Sequence, residues 1–281
     1  MNHASQEPSP ILRVGMIDYV NGLVPDYDFC SERFEKVYGV PSVLNSMLSE
    51  GKLDLSPVSS MEFLLRPDLY KVISDVCIAS FGRTHTVGVF SPYPPKAWEG
   101  KRFCLTGASL TSVHLFKVIC EVYLKIEVVT ETRNLQPLGT QDLLALQKKY
   151  DGVLLIGDEV RLAASVMTFP YHDLGSLWAQ LTGLPFVYAL WLVRKDSCKF
   201  FKDEISCVVT QLRASISQGL ANLSNLYRNS SISWKQEEFF RYFQECIVYR
   251  LSERELLGFE RFQEDLLSLG VIPKLIPLNY F

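Results

Sequence analysis

The stretch Leu105-Thr106-Gly107-Ala108-Ser109-Leu110-Thr111-Ser112 decides how this chain is read. Lys101 to Leu105, at its start, reads as a short strand. Residues 113–124 after it read as a helix. Val113, Leu115, Phe116, Ile119, Val122 and Tyr123 form a broad apolar stripe, with His114, Lys117 and Glu121 opposite. Small and hydroxyl-bearing residues fill the junction, and Ser109 or Thr111 is suited to cap the helix. A helix start carries unpaired N–H groups and a partial positive charge. Hydroxyls converging there suit a carboxylate or a phosphate. An ordinary capped strand-to-helix turn uses the same residues, so this stretch alone leaves both readings open.

The same junction recurs along the chain. Upstream, the strand Leu53 to Val58 meets Ser59-Ser60 before a short helix from Met61. Downstream, Gly152 to Ile156 is a continuous apolar run, as expected of a strand covered on both faces. It stops at Gly157-Asp158-Glu159 and a helix follows through Ala164; Asp158 either caps that helix or faces a ligand. Leu12 to Ile17 is a first strand, ending in a loop that contains Asn21-Gly22. That pair is a turn signal in a common place for a ligand. Further helices are expected from Pro41 to Leu48, closed by Gly51, from Thr140 with that threonine as cap, and from Gly175. Strands are expected within 70–79, at 86–91, at 127–130 and at 186–193. Residues 196–281 read as almost wholly helical, packing back on the first domain.

Alternating strands and helices with one interruption define an α/β chain of two lobes joined by two crossing strands, with a helical C-terminal tail. The Ser91-Pro92-Tyr93-Pro94-Pro95 punctuation and the apolar strands at 87–90 and 186–193 put the crossings there. The first lobe is then residues 1–92 plus 192–281, and the second is 93–191. The cleft between lobes is the default ligand site. The loops at Asn21, Ser59-Ser60, Ser109 to Ser112 and Gly157-Asp158 should converge on it. Ser59, Ser60, Ser109, Thr111, Ser112, Gly157 and Asp158 are therefore the candidate substrate-binding residues.

Composition narrows the function. The chain has 281 residues, 48% hydrophobic and 21% charged, enough for two domains of ~100–150 residues. A net charge of −3 with no basic run argues against a nucleic-acid partner. The aromatic cluster Phe239-Phe240-Arg241-Tyr242-Phe243 has one basic residue and suits core packing better than base stacking. No apolar run reaches ~18 residues, so no membrane partner is expected. The first ten residues lack the apolar core of a signal peptide, and seven scattered cysteines form no CxxC. Both point to a cytoplasmic chain with reduced thiols. The four histidines show no metal-ligand spacing.

Several segments together resemble one family: Pro41-Ser42-Val43-Leu44-Asn45, Ser59-Ser60-Met61-Glu62-Phe63, and Leu105-Thr106 through Val113. Further on come Leu154-Leu155-Ile156-Gly157-Asp158, Asp173-Leu174-Gly175 to Val187, and Tyr249-Arg250-Leu251-Ser252 to Phe262. Over residues 11–275 the chain is similar to the chorismate dehydratases, the first enzymes of the futalosine route to menaquinone. The resemblance implies a type II periplasmic-binding-protein fold. It implies a hydro-lyase that converts chorismate to 3-[(1-carboxyvinyl)oxy]benzoate without metal or organic cofactor, so that the partner is a small dicarboxylate substrate. The family's active-site Asn matches Asn21, and its active-site Ser aligns with Thr86. Threonine keeps the hydroxyl but adds a methyl. The family's Pro three residues after the Asn is displaced by one, to Pro25. These two departures leave room for a related enzyme with another substrate, and a non-catalytic carboxylate-binding protein of the same fold is the other alternative. Arg83 and His85, beside Thr86, are either a positive charge for a carboxylate or ordinary surface-loop residues.

Overall fold

The computed structural model describes residues 11–135 and 138–281. The expected alternation is present. In chain order the elements are β1 (Leu12–Ile17), β2 (Phe34–Gly39), α1 (Pro41–Ser49), β3 (Leu55–Ser59), α2 (Ser60–Leu65), β4 (Tyr70–Ser80) and β5 (Val87–Phe90). Then come β6 (Arg102–Thr106), α3 (Leu110–Val118), β7 (Val129–Arg133), α4 (Thr140–Lys149), β8 (Gly152–Ile156), α5 (Asp158–Val166), β9 (Tyr171–Asp173) and α6 (Leu174–Thr182). The chain closes with β10 (Phe186–Arg194), α7 (Ser197–Phe200), α8 (Lys202–Ala221), α9 (Leu223–Asn229), α10 (Gln236–Arg241), β11 (Ile247–Val248) and α11 (Glu253–Ser268).

Two mixed sheets give two α/β lobes. The first has strand order β11-β4-β10-β3-β1-β2, the second β7-β6-β8-β5-β9. Within the first, β1 runs parallel to β2 and β3, while β10 lies antiparallel between β3 and β4. Within the second, β8 is parallel to β6 and antiparallel to β5, and every one of its residues is buried. That burial on both faces is what its uninterrupted apolar run requires.

The sheet pairings move both crossings. β5 pairs with β8 and β9 and so belongs wholly to the second sheet, whereas β10 pairs only with β3 and β4 of the first. The chain therefore changes lobe between Ser80 and Val87, and returns between Asp173 and Phe186, not at 91–95 or along the apolar strands. Residues 91–95 form a turn inside the second lobe. Two uniformly apolar strands look alike whichever sheet buries them, and proline punctuates a turn as readily as a boundary. The tail is less uniformly helical than expected: β11 pairs with β4, and Tyr280 bridges to Val72. Two helix caps also differ, since Gly139 rather than Thr140 precedes α4, and Gly157 rather than Asp158 precedes α5. Among the described residues no helix is long and apolar enough to cross a membrane.

Candidate active site

Between the lobes lies a cavity with about 690 Å³ of empty space, the open solvent at its mouth included. Asn21, Ser59, Thr86, Ser109, Ser112 and Gly157 all line it, drawn together from five separate junctions. Its remaining wall is apolar or aromatic apart from Thr84, and includes Tyr188 and Tyr242. Among the described residues no Asp, Glu, His, Lys or Arg lines it. Positive potential comes from backbone instead. The first residue of α1 (Pro41), the N-cap of α3 (Ser109) and the N-cap of α5 (Gly157) are all on the wall, each opening a helix of 9 residues.

Each candidate has a local reason for its place. Asn21 sits in a 3₁₀ turn, Val20–Gly22, immediately beyond β1. A Cβ on Gly22 would stand 2.0 Å from the Ile17 carbonyl oxygen, so only glycine lets the turn close. The turn signal and the ligand position are thus one feature. Tyr249 of the tail donates from its hydroxyl to the Asn21 carbonyl oxygen at 2.7 Å, which fixes the turn from behind. The Asn21 side-chain oxygen is buried without a hydrogen-bond partner, ready to accept one from a ligand. Ser109 caps α3, accepting from the Ser112 N–H at 3.2 Å, with the two hydroxyls 2.9 Å apart. Gly157 has φ of 63°, and a Cβ there would stand 2.8 Å from the Tyr19 ring of the other lobe.

Three candidates do not reach the cavity. Thr111 is buried with its Oγ1 2.5 Å from Ser59 Oγ and 3.3 Å from Ser60 Oγ, and it accepts from the Met61 N–H at 3.3 Å. Ser60 donates to the Val187 carbonyl oxygen at 2.9 Å. These hydroxyls tie α3 of the second lobe to α2 of the first and are spent on that contact. Asp158 faces a groove outside the cavity with Arg161, Trp234 and Glu238, and burial raises its carboxyl pKa above the ordinary range. Neither Arg83 nor His85 lines the cavity.

Thr86 owes its position to a residue that the sequence placed in a family segment but to which it assigned no role. Asp173, at the end of β9, is buried and accepts from five donors: Thr84 N–H, Thr84 Oγ1, His85 N–H, Tyr171 hydroxyl and Ser176 N–H. Four of these bonds span 2.9–3.1 Å to the loop that crosses between lobes or to its own helix start. They hold His85 at φ of 60°, a left-handed conformation uncommon outside glycine. The loop then delivers Thr86 to the cavity wall, while its carbonyl accepts from the Gly157 N–H at 2.8 Å. Asp173 and Ser176 have the spacing of a helix cap, which is the only signal that could have pointed to it. Tyr188 and Tyr242 were missed because each reads as one more aromatic in an apolar stretch.

The lobes also meet at the far side of the cleft. Arg161 of α5 lies 4.4 Å over the Trp234 ring and bonds Glu238 at 2.8 Å, both from the tail. Among the described residues no group of three or more His, Cys, Asp or Glu side chains comes together that could hold a metal ion.

Two α/β lobes around a polar but uncharged cleft define a protein of the periplasmic-binding-protein-like class. Solved structures share the arrangement: a protein from Archaeoglobus fulgidus (TM-score 0.65, 17% identity, covering 95% of this chain and 100% of that one) is one. The periplasmic aliphatic sulphonate binding protein of Escherichia coli (TM-score 0.58, 13% identity, covering 97% and 92%) is another. At sequence level the chain is 30% identical to the chorismate dehydratase of Thermus thermophilus, over 94% of this chain and 98% of that protein. A family model described as menaquinone biosynthesis matches residues 12–266. The chain belongs to that menaquinone-biosynthesis family.

Proposed function

We propose that this protein removes water from chorismate to give 3-[(1-carboxyvinyl)oxy]benzoate. The family and the similarity to a chorismate dehydratase support this reading. The observation that carries it is the cavity wall: hydroxyls, one amide and three helix starts, with no ionised side chain. A dicarboxylate suits such a wall. Helix starts and hydroxyls hold a carboxylate in its ionised form, able to accept a proton, without pairing it to a fixed cation. A protein general base is missing from the wall, and the substrate's enolpyruvyl carboxylate fills that role. It removes the ring proton, the C–H electron pair enters the ring, and the hydroxyl departs as the ring becomes aromatic. Much of the driving force lies in the substrate, so the protein orients it and stabilises charge. Ser109 and Ser112 hold a carboxylate from the second lobe. Asn21 and Thr86 act at the reacting ring from the first lobe and the crossing loop. A biosynthetic enzyme of this kind suits the cytoplasmic location expected from the sequence.

Incubation of the purified protein with chorismate tests the reading. The aromatic enolpyruvyl ether should accumulate, and Asn21→Ala should slow its formation about a hundredfold, the order seen when one oriented polar group is removed from a reaction centre. An analogue lacking the enolpyruvyl carboxylate should not turn over. Tight chorismate binding without product would identify a binding protein, and neither binding nor product would mean a different substrate.

A further inference from the structure

Tyr242 is a residue that packing alone does not account for. Its ring lies in an aromatic cluster, 5.2 Å from Trp234 and 5.1 Å from Phe243 in edge-on contacts that a phenylalanine would make equally well. The residue is 1% exposed, and its hydroxyl completes no hydrogen bond of full geometry; the Thr86 side chain is the polar group that acts on it. A buried hydroxyl without a full hydrogen bond is costly, so its retention calls for an occupant that supplies one. The hydroxyl faces Thr86, on the wall of the cavity that also holds Asn21. Backbone geometry is also irregular here. Tyr242 opens a π-helical segment, Tyr242–Cys246, that closes the helix begun by α10, and π-helical turns recur at functional sites. Burial also pushes the phenol pKa up, so the hydroxyl stays protonated and is a hydrogen-bond donor over the whole neutral range.

We propose that Tyr242 is a further catalytic residue, its hydroxyl donating a hydrogen bond to the oxygen that leaves the ring. The proposal rests on the dehydration reading above. As the ring proton is taken by the substrate carboxylate, the carbon–oxygen bond breaks with its electron pair going to oxygen. Tyr242 stabilises the charge that develops there. The departing hydroxide then takes up the abstracted proton and leaves as water, and the tyrosine keeps its own proton throughout. The C-terminal tail thereby completes the active site of the lobes it packs on: Tyr249 fixes Asn21 and Tyr242 meets the leaving group.

Tyr242→Phe keeps the ring contacts and removes only the donor. Its kcat for chorismate should fall ten- to a hundredfold, with KM changed less than threefold and a thermal midpoint equal to or above that of the unaltered protein. An analogue carrying fluoride in place of the departing hydroxyl needs less help to leave, so the loss caused by Tyr242→Phe should shrink to a few-fold. Unaltered kcat in Tyr242→Phe overturns the proposal, and so does an equal loss on both substrates, which would place the hydroxyl away from the leaving oxygen. If the unaltered protein itself fails to convert chorismate, the dehydration reading falls and takes this role with it. Activity in the unaltered protein with no effect of the substitution removes Tyr242 alone.

Discussion

Ser109, Thr111 and Ser112 lie within four residues on one helix start, yet their hydroxyls have different tasks. Ser109 and Ser112 face the cavity, while Thr111 turns to Ser59, Ser60 and the Met61 N–H. Helical geometry explains the division, because successive residues are rotated by about 100°. Thr111→Val keeps the shape but strands the Met61 N–H and the Ser59 hydroxyl in a buried contact. It should destabilise the protein by about 1–3 kcal/mol, read as a lower urea midpoint, with little change in KM for chorismate. A large rise in KM with unchanged stability would place Thr111 in the cavity after all. Which hydroxyls gather at a helix start was legible in the sequence. Which of them point to the ligand was not, since that depends on where the other lobe approaches.

At the scale of elements, the proposed function assigns the binding of an anionic substrate to helix starts rather than to a cation. α3 is the best placed, because it brings both an N-cap hydroxyl and a second hydroxyl to the wall. Ser112→Ala removes one hydrogen bond to a carboxylate but leaves the Ser109 cap intact. KM for chorismate should rise about tenfold, while stability changes by less than ~1 kcal/mol, since a bond to a charged group exceeds the value of a neutral one. An unchanged KM would remove this helix start from the binding site. Strand-to-helix junctions were readable from residue type alone, as apolar runs ending at Ser-Ser, Gly-Ala-Ser or Gly-Asp. The role of the tail was hidden, because Tyr242 and Tyr249 read as core aromatics of a helical stretch. Only the packing shows that Tyr242 lines the cavity and that the Tyr249 hydroxyl reaches the Asn21 turn.

At the scale of the whole molecule, the three described histidines share one property. Burial lowers the pKa of His85, His114 and His172 below that of a free imidazole. The unfolded chain therefore binds more protons than the native one just below the unfolded value of about 6.5, so stability rises with pH in that window. It is fully present above that value and lost as pH falls through the native pKa values. The carboxyls of Asp158 and Asp265, both raised by desolvation, act in the opposite sense but nearer the carboxylate range. The urea midpoint should thus drop as pH is lowered from about 7 to about 5, and a flat profile would contradict this account. The sequence by itself determined the α/β class, the two lobes, the hydroxyl-rich junctions and the family, because apolar periodicity, caps and turn residues are local signals. Only the tertiary structure decided that the lobes exchange the chain at 81–86 and 174–185. It also decided that Asp173 braces the loop carrying Thr86 and that Thr111 joins the lobes rather than lining the cleft. Each of these depends on partners 50 or more residues away, 52 for Thr111 with Ser59 and 89 for Asp173 with Thr84, and no local pattern encodes which distant group will supply a donor.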